Sequence, residues 1–221
     1  ITVEGKVLKT SHAIYEEYLE MYPYTEASYR VRGLELGNGG VKVVCPQIEG
    51  LSNHEIQGKW NRIMLGAEER AIDAWEAGGT YEVSYEIKTM TPKMLSILMR
   101  GSYSEGEEAE THSFLYTYNI DLLTGESIRL ADQVDVSEAA ENLFAGEGCY
   151  VEESLVPYLK ERLEAIYENP EGLARSLEGY DYEENGQEPY GYSYRKDGKV
   201  WICMEVPHEQ GDVMEIELED F

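Results

Sequence analysis

The sequence predicts an α+β fold in which antiparallel sheets pack with two main helices. Between residues 94 and 122, apolar and polar side chains alternate with a period of two on both sides of a polar segment, which is typical of a hairpin. Between residues 53 and 77, apolar side chains recur every three or four positions, which is typical of an amphipathic helix. The chain has 221 residues and 42% hydrophobic content, so it can bury a substantial core.

Residues 1–92 are predicted to form an N-terminal α+β subdomain. Gly37-Asn38-Gly39-Gly40 is a strong hairpin turn, because glycine adopts positive φ without strain. Asn53 is suited to cap the following helix, and Pro46 opens the predicted loop that leads to it. The predicted elements are a short strand over 2–9, a turn of helix over 13–21, a hairpin over 27–45, a helix over 53–77 and a strand over 81–89.

Residues 93–221 are predicted to form a C-terminal α+β subdomain. In its first hairpin, only Leu98 and Leu115 interrupt the polar face. Gly125 provides a turn into an expected third strand, and Ser137 is expected to cap the next helix. The predicted elements are a meander over 94–130, helices over 137–144, 153–168 and 171–177, and a hairpin with a following strand over 190–218.

The charge of the chain is strongly acidic. There are 44 Asp and Glu residues against 18 Lys and Arg, giving a net charge of -26 and a pI near 4.4. Nucleic acid and anionic membrane surfaces are disfavoured as partners, because both require clustered basic side chains. A basic protein would be attracted, although acidity can also serve solubility alone.

No apolar run approaches the roughly 20 residues that span a bilayer, and the first residue is Ile1. We therefore expect a piece of a longer protein. Cys45, Cys149 and Cys203 form no CxxC motif, and the sequence leaves a Cys45–Cys203 disulfide open. Such low cysteine content fits a reducing cytoplasm or an exported bacterial protein.

Sequence motifs of catalysis and cofactor binding are missing. His208-Glu209 lacks the second histidine of HExxH, no serine lies in GxSxG, and no glycine pattern precedes a helix as phosphate-binding loops require. Asp121 and Glu126 flank a turn without the spacing of a calcium loop. The sequence therefore predicts no enzyme, no cofactor and no metal site.

Tyrosine is the remaining functional signal. The chain has 18 Tyr against 3 Phe, and tyrosine is enriched at recognition surfaces. The segment over residues 179–189 is acidic and glycine-bearing, which favours an exposed loop. In the alternative interpretation, alternate tyrosines line a strand against the core. The candidate ligand-binding residues are Tyr180, Tyr182, Glu183, Glu184 and Tyr190.

Several short motifs resemble one bacterial extracytoplasmic domain of unknown function. The first is Val43-Val44-Cys45-Pro46-Gln47-Ile48-Glu49-Gly50-Leu51-Ser52-Asn53, followed by Trp60-Asn61-Arg62-Ile63. The others are Met94-Leu95-Ser96-Ile97, His112, Tyr118-Asn119-Ile120-Asp121, Thr124-Gly125-Glu126, Leu130-Ala131-Asp132 and Val206-Pro207-His208-Glu209-Gln210-Gly211-Asp212. The resemblance is to the domain shared by RsiV-type anti-sigma factors and PdaC-type peptidoglycan deacetylases, over about residues 29–218.

The resemblance implies a secreted or membrane-anchored domain at the cell surface, whose anchor would lie outside this sequence. In the anti-sigma factors the domain is a sensor that binds lysozyme, a basic protein. The deacetylase domain and the sigma-binding segment are absent from this sequence, so no catalysis carries over. Cys45 stands where an aromatic residue is more usual.

We therefore predict a non-enzymatic extracytoplasmic binding or sensor domain for a basic protein such as lysozyme. The alternatives are a domain that binds cell-wall glycan, an accessory module of a cell-wall enzyme, a hydrolase or esterase with a site around His112 and Asp121, and a purely structural surface domain. A cleft that holds His112 beside a carboxylate would favour the enzyme, whereas a convex tyrosine-rich face would favour binding.

Overall fold

Two β-sheets with helices on their outer faces form the framework of the protein, as seen in a computed structural model. The structure describes residues 28–75, 79–106, 109–183 and 188–219, with the backbone of residues 2–3 and 6–7. Near the start of the chain, Thr2–Val3 (β1) and Lys6–Val7 (β2) pair antiparallel, where one short strand was predicted. The helix predicted over residues 13–21 lies outside the described residues.

The α+β fold class predicted from the sequence is confirmed. The first sheet contains Arg30–Leu36 (β3), Val41–Glu49 (β4), Thr80–Met90 (β5), Met94–Ser104 (β6) and His112–Asp121 (β7), in chain order, with only β4 and β5 parallel. The second contains Cys149–Tyr150 (β8), Tyr192–Lys196 (β9), Lys199–Glu205 (β10) and Val213–Leu218 (β11), in the antiparallel order β8-β11-β10-β9. The α-helices are His54–Ala74 (α1), Val136–Ala145 (α2), Val156–Arg162 (α3) and Pro170–Leu177 (α4). No helix in this described part of the chain is long and apolar enough to cross a membrane.

Helix α1 covers one face of the first sheet. Asn53 caps it as predicted, because its side chain accepts hydrogen bonds from the N–H groups of Glu55 and Ile56. Trp60 is fully buried against the apolar side chains of the sheet and donates from Nε1 to the carbonyl of Gly125 at 3.0 Å. The helix thereby holds the turn after β7, where Gly125 has a φ of 78°.

The second sheet has two different apolar faces. Along β10, Val200, Ile202 and Met204 pack with helices α2 to α4, whereas the alternate residue Cys203 faces the first sheet. There Cys203 joins Leu98 and Leu115 in a small buried cluster. The molecule therefore has four layers, in the order α1, first sheet, second sheet, and helices α2 to α4.

Hydrogen bonds from side chains join the two sheets at β9. This strand lies at the edge of its sheet, where alternate backbone groups have no neighbouring strand to bond. At Ser193, the N–H donates to Asp181 Oδ1 at 2.6 Å and the carbonyl accepts from Asn119 Nδ2 at 2.8 Å. At Arg195, the N–H donates to Ser96 Oγ at 3.1 Å and the carbonyl accepts from Thr89 Oγ1 at 2.6 Å. These four side chains complete the edge of β9.

Asp181 is the buried carboxyl of this network. It also accepts hydrogen bonds from Ser193 Oγ at 2.5 Å and from Thr117 Oγ1 at 3.2 Å. Burial raises the pKa of Asp181 from 3.8 to about 7, and its hydrogen bonds only partly offset that effect. Its φ of 72° is left-handed, a conformation that Asp and Asn tolerate better than most residues.

Two sequence predictions about strands are wrong. The segment Pro46-Gln47-Ile48 was predicted as a loop, but it belongs to β4 and pairs with β3 as far as Glu49. Proline is tolerated because β5 pairs with β4 only over residues 41–43, so Pro46 has no strand on that side. No third strand forms over residues 127–130: one bridge joins Ile120 and Ser127, and a 3-10 turn follows.

Two further expectations differ in the C-terminal half. Asp135, not Ser137, caps α2, because its carboxylate accepts from the N–H groups of residues 137 and 138. The helix predicted over 153–168 begins as a 3-10 turn, continues as α3 and ends as a π-helical turn at Leu163–Tyr167. Residue 92, the predicted subdomain boundary, lies in the connection between β5 and β6, which pair in the first sheet.

We expect Asp181→Asn to change how stability depends on pH. Asp181 in the unfolded chain titrates near 3.8, whereas its folded pKa is about 7, so its contribution to stability is present below the unfolded pKa and is lost as pH rises toward 7. The free energy of unfolding of the variant, relative to the natural protein, should rise by on the order of 2–4 kcal/mol between about pH 4 and pH 7. Urea denaturation at a series of pH values measures this; parallel profiles for the two proteins would contradict it.

Candidate functional site

A cleft of about 520 Å³ lies where the two sheets meet. Its walls come from the start of β7, the chain entering β9, the end of β10, the start of β11 and the segment from Arg162 to Tyr167. Concave sites lined by aromatic groups with a few convergent polar groups are the usual places for ligands. The cleft is therefore the candidate functional site.

Aromatic rings and one ion pair form much of the cleft lining. Tyr190 is 75% exposed, and Tyr103 and Tyr192 are half-buried beside it. Arg162 pairs with Glu205 at 3.2 Å, while its buried Nε has no hydrogen-bond partner among the described residues. The cleft thus presents flat aromatic faces, a carboxylate and a guanidinium to a ligand.

Two histidines and a carboxylate lie together at one end of the cleft. Asp212 Oδ1 is 2.9 Å from His208 Nδ1 and 3.6 Å from His112 Nδ1, and the two imidazole centroids are 4.5 Å apart. The hydrogen bond with Asp212 raises the pKa of His208. Partial burial alone would raise the pKa of Asp212, but hydrogen bonds from Ser113 N–H and His208 lower it below its usual value. Asp212 is therefore a carboxylate at neutral pH.

Beside the cleft, residues 179–181 and 190–191 contact each other through two tyrosine–glycine pairs. Tyr190 N–H donates to Gly179 O and Asp181 N–H donates to Gly191 O, each at 2.9 Å. A Cβ atom at Gly191 would lie 2.3 Å from the ring of Tyr180, and one at Gly179 would lie 2.4 Å from the ring of Tyr190. Each glycine therefore makes room for the tyrosine on the opposite segment.

The predicted ligand-binding residues do not form one surface. Tyr180 is only 2% exposed and packs in the core of the second sheet, so its prediction as part of an exposed loop is wrong. Tyr182 makes a T-shaped contact with the ring of Trp60 and lines a depression with Lys59, Arg62 and Arg70 of α1. Glu183 forms an ion pair with Arg129, and Glu184 lies outside the described residues. Of the four candidates that the structure describes, only Tyr190 lines the cleft as an exposed group.

His112 and Asp121, the residues of the suggested catalytic alternative, cannot act together. They are the first and last residues of β7, which places them about 30 Å apart at roughly 3.3 Å per residue. Asp121 instead accepts hydrogen bonds from the N–H groups of Leu123 and Thr124 and stabilises the turn. The carboxylate beside His112 is Asp212, one hundred residues further along the chain.

Cys45 and Cys203, whose pairing the sequence left open, are not bonded to each other. Cys45 is buried on the α1 side of the first sheet and Cys203 on its other side, and neither forms a disulfide. Desolvation by burial raises the pKa of Cys45 to about 11 and that of Cys203 well above its usual value, so both are thiols at neutral pH.

Comparison with known proteins bears on the fold alone. No protein-family model and no curated protein sequence matches the chain. A solved member of the DUF3298 family from Bacteroides fragilis is similar over 87% of this chain and 91% of its own, with a TM-score of 0.51 and 9% identity. A DUF3298 family protein from Pseudomonas aeruginosa gives a TM-score of 0.45, with 13% identity, over 88% and 91% of the two chains. At such low identity, the first likeness indicates a shared fold, that of a domain of unknown function.

The different positions of Tyr180 and Tyr190 predict different effects on stability. Tyr180→Ala should reduce the free energy of unfolding by about 3 kcal/mol or more, because it leaves a cavity in the core. Tyr190→Ala should cost about 1 kcal/mol or less, because the side chain is mostly exposed. Urea denaturation monitored by circular dichroism compares the two; equal losses would place Tyr180 at the surface and contradict the structure.

Proposed function

We propose that this protein, with the fold of a DUF3298 family member, is a non-catalytic extracytoplasmic domain that binds a basic protein such as a c-type lysozyme. The observation that carries the proposal is the tyrosine-lined cleft on a chain of net charge -26. The sequence resemblance to the sensor domain of RsiV-type anti-sigma factors supports the same location and partner.

Charge favours a cationic partner at the cleft. Two carboxylates, Glu205 and Asp212, line it with one guanidinium, that of Arg162, and the exposed Glu110 lies next to His208 at its end. Opposite charges accelerate encounter and disfavour anionic competitors. Lysine or arginine side chains of a partner would also find ring faces there, since cations are attracted to the faces of tyrosine rings.

Tyr190 is the residue on which we expect binding to depend most. It is the most exposed of the large hydrophobic side chains in the described part of the chain, and it lines the cleft with its ring against Gly179. A tyrosine side chain has few rotatable bonds, so it loses little conformational entropy on binding. Exposed tyrosines are therefore frequent at binding hot spots.

We expect calorimetric titration with a c-type lysozyme to show binding that persists at about 0.15 M salt, where long-range attraction is screened. Tyr190→Ala should weaken the affinity about 10-fold or more. Tyr150, which is 60% exposed on β8 and does not line the cleft, provides the matched control, and Tyr150→Ala should bind as the natural protein does.

Binding confined to low salt, or weakened equally by both substitutions, would contradict specific recognition in the cleft. Absence of binding would overturn the lysozyme proposal. Cell-wall muropeptides, titrated in the same way, would then test whether a glycan is the ligand instead.

A catalytic role in the cell wall is the second candidate, because the cleft holds His112 beside the carboxylate of Asp212. Incubation with purified peptidoglycan, followed by chromatography of the released fragments, tests it. Products that form with the natural protein and not with His112→Ala would favour this candidate over a purely binding domain.

A further inference from the structure

The histidine–carboxylate cluster at the cleft has the composition of a metal site. His112 begins β7, His208 lies in the 3-10 turn His208–Gln210, and Asp212 immediately precedes β11. One potential ligand atom of each residue lies within 4.8 Å of those of the other two, and no other such group of three occurs in the part of the chain that the structure describes. Two segments that are distant in the chain, the start of β7 and the connection between β10 and β11, thus converge on one point.

The spacing of the three ligand atoms suits a small divalent ion. Ligands about 2.0–2.1 Å from a tetrahedral Zn²⁺ lie roughly 3.3 Å from one another. Asp212 Oδ1 is 2.9 Å from His208 Nδ1 and 3.6 Å from His112 Nδ1. All three ligand atoms lie within 4.8 Å of one another, and both imidazoles are only partly buried.

Neighbouring groups orient these ligands. Ser113 N–H donates to Asp212 Oδ2 at 2.6 Å, which leaves Oδ1 directed at the two imidazoles. The ring of His112 lies 5.3 Å from that of Tyr103. Glu110 Oε2 is 3.9 Å from His208 Nε2, on the side of the imidazole away from Asp212. Carboxylate and backbone partners of this kind are typical around the histidines and carboxylates of metal sites.

We propose that His112, His208 and Asp212 bind one divalent transition-metal ion, with Zn²⁺ preferred. Two imidazoles and one carboxylate form the ligand set of zinc sites that keep an open fourth position, whereas Ca²⁺ and Mg²⁺ require mainly oxygen ligands. Since His112 and Asp212 line the cleft, an ion bound by them would be accessible from the cleft. This site goes beyond the proposed partner binding and does not depend on it.

Titration of the metal-free protein with ZnCl₂ tests the proposal. We expect one ion per chain in the presence of excess Mg²⁺. Titration with Co²⁺ should give the visible absorption of a site with nitrogen and oxygen ligands, without the intense near-ultraviolet band of a cobalt–thiolate bond. That band would assign the ion to a cysteine and overturn the proposal.

Single substitutions identify the ligands. His112→Ala and His208→Ala should each weaken Zn²⁺ binding at least 10-fold, the loss that even outer partners of metal ligands produce. His54, exposed at the start of α1, is the matched control, and His54→Ala should bind as the natural protein does. Asp212→Asn keeps an acceptor for Ser113 N–H and tolerates the left-handed φ of 70°, so it should remain folded while binding the ion more weakly.

Thermal denaturation separates loss of binding from loss of folding. Zn²⁺ should raise the melting temperature of the natural protein and of His54→Ala, because an ion that binds only the folded state stabilises it. It should leave that of folded Asp212→Asn nearly unchanged. Binding at several ions per chain, or binding that none of the three substitutions reduces, would show diffuse attraction to acidic side chains and would overturn the site.

Discussion

A backbone edge inside a protein needs hydrogen-bond partners, because each buried amide or carbonyl left without one costs on the order of 1–3 kcal/mol. At β9 those partners are Asp181, Asn119, Ser96 and Thr89, which bond to the backbone of Ser193 and Arg195. Three of the four belong to the first sheet, so completing the edge of one sheet attaches it to the other. The position of β9 then determines where the chain enters the cleft.

Periodicity in the sequence predicted the elements well and their environment poorly. The alternation of β6 and β7 and the capped helix α1 could be read directly, because each depends on residues close in the chain. The alternation gives no sign that the polar face of the hairpin is covered, yet Ser96, Thr117 and Asn119 are buried there under the second sheet. Leu98 and Leu115, which interrupted the pattern, are the apolar contacts between the sheets. That interface depends on residues about 100 positions apart, so no local pattern reveals it.

The sequence pointed to only part of the cleft, because the cleft too is formed by residues that are distant in the chain. Tyr190 and Tyr180 were both predicted as binding residues from the tyrosine-rich, acidic composition of their segment. Tyr190 is exposed at the cleft, whereas Tyr180 is buried. The difference comes from Gly191 and Gly179, which provide room for one ring in the core and for the other at the surface. The sequence placed His208 four residues before Asp212, but nothing in it indicated that His112 lies beside them.

The paired tyrosines and glycines have a consequence for how this protein can diverge. The contacts at residues 179–181 and 190–191 close the intervening segment where it leaves and rejoins the body of the protein. The described residues of that segment, Tyr182, Glu183, Glu188 and Pro189, take no part in the strand pairing of either sheet. Insertions and deletions there are therefore expected to be inherited with little penalty to folding, since a longer closed loop adds only a small entropic cost. Evolution can vary recognition at this point of the chain while the two sheets keep their register.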